Sequence, residues 1–205
     1  MEFQDQPGTA AGPAGLRAET DRSEANRADS GRRSLVATLG DEAGLLLPAG
    51  LRSHDDLAAE NDGFAPWCGP AALALATGRD YAEASALLRA AAPAWYPESG
   101  PIVTAYWRDL LAALAADGIP HAPLVLPEAP RPSLLRLVRD GLDPGWYLLR
   151  VTDHFLLLRS HGFGLAQLHD NRHTATLLTA RTHGRRKVTH AARLLGGPLV
   201  EAERP

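Results

Sequence analysis

The 205-residue chain contains one cysteine, Cys68, in the run Ala65-Pro66-Trp67-Cys68-Gly69-Pro70-Ala71-Ala72. An apolar, alanine-rich stretch begins directly behind it, with Leu73, Leu75 and Ala76, so the thiol falls at a helix start. The first turn of a helix leaves backbone N–H groups unpaired and carries a partial positive charge, which favours thiolate over thiol. Thiolate is the nucleophilic form. Pro70 fits a first turn, where its missing N–H is no loss, and Gly69 allows backbone or substrate to come close. The plainer alternative is a small buried hydrophobe, because free cysteine is among the most buried residue types.

A cysteine nucleophile needs a base, and the chain offers eight histidines. Gly145-Trp146-Tyr147-Leu148-Leu149-Arg150-Val151 reads as a buried strand, and after Thr152-Asp153 a second begins with His154-Phe155-Leu156-Leu157-Leu158. His154 therefore stands at a strand end, where an imidazole can face a cleft while Phe155 onward fills the core. A third strand, Leu165 to His169, runs into Asp170-Asn171, a turn pair that an antiparallel arrangement brings beside the start of the preceding strand. Asp170 is the expected orienter of the His154 ring. Asn171 is the competing choice, since an amide can hold the tautomer as well.

Taken in order, Cys68-Gly69-Pro70-Ala71-Ala72 heading a helix, His154-Phe155-Leu156-Leu157-Leu158 on a strand and Asp170 ending the next strand resemble the papain-like cysteine hydrolase superfamily. The nearest likeness in motif is to the double-glycine leader peptidase-like domains that process bacteriocins. It spans roughly residues 63–172. The resemblance implies a cysteine peptidase or amidase that works through a Cys68 thioester, with His154 as base and Asp170 as orienter. It also implies a peptide or protein substrate and no cofactor or metal.

The sequence departs from that pattern at one place. The superfamily usually carries a glutamine shortly before the nucleophile, whose side-chain N–H joins the cysteine N–H in holding the oxyanion. Here the only amide at about that distance is Asn61, followed by Asp62. Asn61 is the expected donor, and losing one such donor lowers the rate by about two to three decades. Asp62 in that position would repel the oxyanion and leave a weakened or dead enzyme. Asn-Asp-Gly is also an ordinary turn or cap sequence.

The elements that must position these residues give an α+β, papain-like expectation: an N-terminal helical layer, including the nucleophile helix, packed on a C-terminal antiparallel sheet. Asp80 is expected to cap a helix reaching about Ala91, with Ala84, Leu87, Leu88 and Ala91 as its apolar stripe. Thr104 is expected to cap another that stops at Gly118. Ile119 to Leu126 reads as an edge strand, because Pro120 and Pro123 remove ladder donors, and Ser133 to Asp140 as a short helix. Thr174 to Ala180 is a candidate fourth strand and Val188 to Leu195 a terminal helix. The loop from Pro93 to Pro101 carries Trp95 and Tyr96, either to grip a peptide or to plug the core edge.

Residues 1–33 are polar and poor in branched or aromatic side chains, the composition of a flexible arm ahead of a domain spanning 34–200. Within that domain Leu35-Val36-Ala37 and Leu45-Leu46-Leu47-Pro48 have the apolar content of short strands or a covering arm. Net charge is −3 at pH 7, and the one basic cluster, Arg181, Arg185, Arg186 and Lys187, suits a solvated loop, so no nucleic-acid partner is expected. No apolar run is long enough to span a bilayer. The single cysteine forms no internal disulfide and the first residues lack a secretory pattern, which makes the cytoplasm the expected location. Lys187 is the sole lysine and arginine and alanine are frequent, the stamp of a GC-rich, bacterial-type genome.

His169 and His173, with His161 nearby, are spaced as metal ligands can be, but no cysteine pair or His-Glu-x-x-His helix accompanies them. No metal is expected. Two alternatives to hydrolysis remain open: acyl transfer through the same thioester, and an inactive module that binds a peptide in the cleft.

Overall fold

In chain order the elements are α1 (His54–Ala59), α2 (Cys68–Thr77), α3 (Tyr81–Ala91), α4 (Trp107–Ala116), β1 (His121–Pro123), α5 (Leu134–Arg139), β2 (Gly145–Val151), β3 (His154–Gly162), β4 (Leu165–His169), β5 (Thr176–Leu177) and β6 (Val188–Leu194). They come from a computed structural model that describes residues 50–196 and 198, all within one compact unit, Ala43–Pro205. The expected arm at 1–33 and the segments at 35–37 and 45–48 lie outside the described residues.

Side-chain caps start three of the helices. Ser53 with Asp56 and Asp80 with Glu83 form reciprocal capping boxes for α1 and α3, and the Ser133 hydroxyl accepts from the Arg136 N–H at the head of α5. α2 and α4 begin on Trp67 and Tyr106 without a side-chain cap. The fourth helix therefore starts three residues later than its expected cap, Thr104. Ala105 packs against Gly69, and the Tyr106 N–H donates to the Tyr96 hydroxyl at 3.1 Å, which keeps 102–106 extended.

α2 is buried from Gly69 to Thr77 on every side. Its alanines let neighbours approach closely, and it lies against α3, α4 and strand β3. The left-handed Gly78 (φ 67°) ends it. α1 is fastened to this layer through Glu60, which accepts from the Tyr81 N–H at 2.8 Å and pairs with Arg52.

The sheet is six-stranded and antiparallel throughout its pairings, in the order β1-β6-β2-β3-β4-β5. Its centre is covered on both faces. Leu148, Phe155 and Leu157 join the core beneath the helical layer, whereas Leu149, Leu156 and Leu158 join a second core with Leu134 and Val138 of α5. Burial on both faces explains why β2 and β3 read as continuous apolar runs instead of alternating ones.

The stretch from Val188 is a strand and not the expected terminal helix. Thr-His-Ala-Ala-Arg-Leu has reasonable helix propensity, but β6 fills the slot between β1 and β2, and its Ala191, Ala192 and Leu194 are buried there. Pairing on both sides outweighs a preference of a few tenths of a kcal/mol per residue. The expected edge strand shrinks to His121–Pro123, which pairs with β6 alone.

Candidate active site

The bare start of α2 sets the environment of Cys68. With no side chain capping the first turn, its N–H groups keep their partial positive charge beside the sulfur. Gly69 has a second, steric reason to lack a side chain, since a Cβ there would fall 2.3 Å from the Ala105 Cβ. The thiol is half-buried, packed against the helical core yet open to solvent.

His154 sits at the first position of β3, across a two-residue turn from Val151 in which Asp153 takes a left-handed conformation (φ 55°). From there it hydrogen-bonds the Cys68 side chain on one side and Asp170 on the other. The His154 Nε2···Asp170 Oδ2 distance is 2.9 Å. Asp170 is 1% exposed, and its carboxylate also accepts from the Arg172 N–H at 2.8 Å. Burial alone would raise its pKa, but the His154, His183 and Arg172 hydrogen bonds more than offset it, and the group is held well below the usual carboxylate range. An ionised carboxylate only accepts, so His154 carries its hydrogen on Nε2 and leaves Nδ1 for the thiol.

The charges of the pair follow from the same contacts. Burial lowers the His154 pKa, yet the hydrogen bonds to Asp170 and Cys68 and their charges outweigh it and lift the imidazole to about 9. Burial raises the Cys68 thiol, and the His154 hydrogen bond, the Phe155 backbone and the His154 charge together bring it below its ordinary value. Thiolate and imidazolium therefore stabilise each other.

The other expected residues have different neighbours. Asn171 donates its amide to the Pro66 carbonyl at 2.6 Å, tying the loop after β4 to the segment that leads into Cys68. Asn61 donates to the Phe64 carbonyl at 3.0 Å and closes the turn behind α1, while Asp62 is exposed with φ 55°. The histidines considered as ligands part company: His161 meets Gln167 at 2.9 Å, and the buried His169 accepts from the Ala175 N–H at 3.3 Å.

Two histidines that the sequence reading did not place on His154 converge on Asp170. His173 Nδ1 reaches Oδ1 at 3.0 Å and His183 Nε2 reaches Oδ2 at 2.9 Å. His183 comes from the loop before β6, where neither spacing nor periodicity signals it. His154, Asp170 and His183 are also the described residues whose ligand atoms converge within 4.8 Å. A divalent cation could enter only by displacing the hydrogen of the His154–Asp170 bond.

Exposed apolar side chains stand close to Cys68 in the chain and beside the residue that packs on Gly69. Trp67 (43% exposed) and Phe64 (73%) precede the cysteine in the chain, and Val103 and Tyr106 stand exposed on either side of the Ala105 contact. Tyr96 is buried and donates to Asp109 at 2.7 Å, whereas Trp95 is exposed against Tyr106 with Arg108 over both rings. No described helix is long and apolar enough to cross a membrane. No family model, no curated protein and no solved structure matches the chain.

Proposed function

We propose that the protein is a papain-like thiol hydrolase that cleaves a peptide, isopeptide or other amide bond through a Cys68 thioester. The observation that carries this reading is the unbroken line of contacts from the Cys68 side chain through His154 to Asp170. The Cys68 thiolate adds to the carbonyl carbon, and the oxyanion forms beside the Cys68 N–H at the uncapped helix start. Asn61 is the candidate second donor, through the amide hydrogen not committed to Phe64. Collapse breaks the C–N bond as the His154 imidazolium gives its proton to the departing amine. Water then loses a proton to His154 and attacks the thioester, and collapse breaks the C–S bond, releasing the acid and restoring the thiolate–imidazolium pair. An amine in place of water makes the same intermediate an acyl donor.

A peptide fits the surroundings better than a small amide does. The exposed Trp67 and Phe64 precede the nucleophile in the chain, the exposed Val103 and Tyr106 bracket Ala105, which packs on Gly69, and aromatic anchors are what extended peptides use. Incubation with a panel of peptidyl chloromethyl ketones, followed by mass spectrometry, tests the reading. The expected result is one thioether adduct, on Cys68, with apolar peptides reacting fastest and His154→Ala slowed by at least about a hundredfold. Equal, slow labelling of both proteins would leave the fold as an inactive peptide-binding module, a role that the engagement of Asn61 with Phe64 favours.

A further inference from the structure

The Asp170 carboxylate has a second histidine on the oxygen that orients His154. The His183 Nε2 lies 2.9 Å from Oδ2, the atom that also receives His154, and the two rings pack 4.7 Å apart with planes inclined by 30°. His183 is 17% exposed in its side chain, so it covers the His154–Asp170 bond on the side its ring occupies. His173 and the Arg172 N–H hold the opposite oxygen. All four acceptor directions of the carboxylate thus have donors.

The loop that delivers His183 is constrained well beyond what a connection needs. His183 has φ 57°, a left-handed conformation that non-glycine residues adopt infrequently. Thr182 donates to the Leu177 carbonyl at 2.8 Å and accepts from the Thr179 N–H at 2.7 Å, while the Gly184 N–H closes onto Thr179 at 3.1 Å. A Cβ on Gly184 would fall 2.2 Å from the Thr179 carbonyl oxygen. Further along, the Leu134 and Leu135 N–H groups at the head of α5 bind the Arg186 and Gly184 carbonyls, each at 2.9 Å. Strain of this kind persists where surrounding contacts over-determine it, and here they converge on one imidazole.

We propose that His183 is a positioning residue for the thiol chemistry: its Nε2–H fixes the second lone pair of Asp170 Oδ2, so that the carboxylate stays aimed at His154, and its ring keeps water off that bond. This rests on the thiol-hydrolase reading and extends the Cys68–His154–Asp170 line by a fourth member. Without the donor, the buried carboxylate turns or takes up water, and the imidazolium that supports the Cys68 thiolate is less firmly held. The titratable groups around this contact are Cys68, His154, Asp170 and His173, with His169 of β4 and Tyr81 of α3 beyond them.

The rate of Cys68 alkylation by iodoacetamide, followed from pH 4 to 10, separates the possibilities. His183→Phe keeps a ring and removes the donor, and His183→Gln places a neutral N–H near the original Nε2. Circular dichroism establishes that each variant is folded. The expected result is a loss of about tenfold in labelling at pH 6 for H183F, the magnitude of one hydrogen bond to a charged group. Its acid limb should move to higher pH, and H183Q should restore both to within about threefold of wild type. Wild-type behaviour in H183F overturns the proposal while leaving Cys68 and His154 in place, and so does equal damage in H183F and H183Q. A wild-type rate that does not depend on His154 overturns the underlying reading and this proposal with it. Ring-nitrogen NMR of the unaltered protein is independent of any variant: His183 must carry its hydrogen on Nε2, and an Nδ1–H tautomer contradicts the assignment.

Discussion

At the scale of single residues, the proposed chemistry rests on three side chains from distant parts of the chain, and their order of importance can be argued. Asp170 sets the tautomer of His154, because an ionised carboxylate that only accepts forces the imidazole hydrogen onto Nε2. Asp170→Asn leaves the shape and presents an amide that can offer the wrong group to that nitrogen. We expect a fall in turnover of at least about a hundredfold with little change in melting temperature, measured by peptide hydrolysis and calorimetry. Gly69 makes a different demand. The Cβ of Gly69→Ala would meet Ala105 at 2.3 Å, so one of the two backbones must move. A loss of about 1–3 kcal/mol in denaturant unfolding is expected, with slower Cys68 alkylation as the helix start shifts. The convergence of Cys68, His154 and Asp170 was legible as residue types in order. Asn61 was read by distance along the chain alone, and its bond to Phe64 belongs to a local turn that such a count does not register.

At the scale of elements, what the sequence made readable was capping and uninterrupted burial. Asp80 and Ser133 announce their helices because their side chains satisfy backbone donors locally. Thr104 misled because the chain after it is held extended by Ala105 against Gly69 and by Tyr96, contacts that are distant in sequence. Val188 to Leu194 misled for a related reason, since the place of β6 between β1 and β2 is a property of the whole sheet. His183 could not be found from pattern, because a left-handed histidine in a tight turn has no periodic signature. Strand β4 has its own consequence. His169 at its end is 1% exposed, its Nε2 lacks a partner among the described residues, and burial pushes its pKa down to about 4. The unfolded chain binds a proton there below about pH 6.5 while the folded chain refuses it until about pH 4. Stability therefore falls as pH drops through that window, by on the order of 3 kcal/mol. His169→Leu should flatten the decline in melting temperature between pH 6.5 and 4.5, at the expense of some stability at pH 7 where the Ala175 N–H loses its acceptor. An unchanged slope would place the acid sensitivity elsewhere, with His190, which burial also pushes below its ordinary value, as the next source in that window.

At the scale of the whole molecule, a helical layer and an antiparallel sheet meet so that the start of α2, the start of β3 and the end of β4 lie together. The two cores on opposite faces of the sheet keep β3 and β4 in register, and Asn171 fastens the loop beyond β4 to the segment before Cys68. Asn171→Ala should loosen that tie. Because it leaves His154 and Asp170 untouched, we expect a rise in KM larger than the fall in kcat, read from peptide hydrolysis. The apolar flank makes a matching expectation: Trp67→Ala should raise KM for peptides with large apolar side chains by about tenfold while the rate of iodoacetamide labelling stays near wild type. Both effects presuppose that the sulfur and the imidazole share a proton and stand charged. The most direct measurement of that claim is the pH profile of Cys68 alkylation in the wild-type protein and in His154→Ala. The account requires rapid labelling that begins well below the ordinary cysteine pKa of about 8.5 and disappears in the variant. Slow labelling in both proteins, rising only near that value, would contradict it.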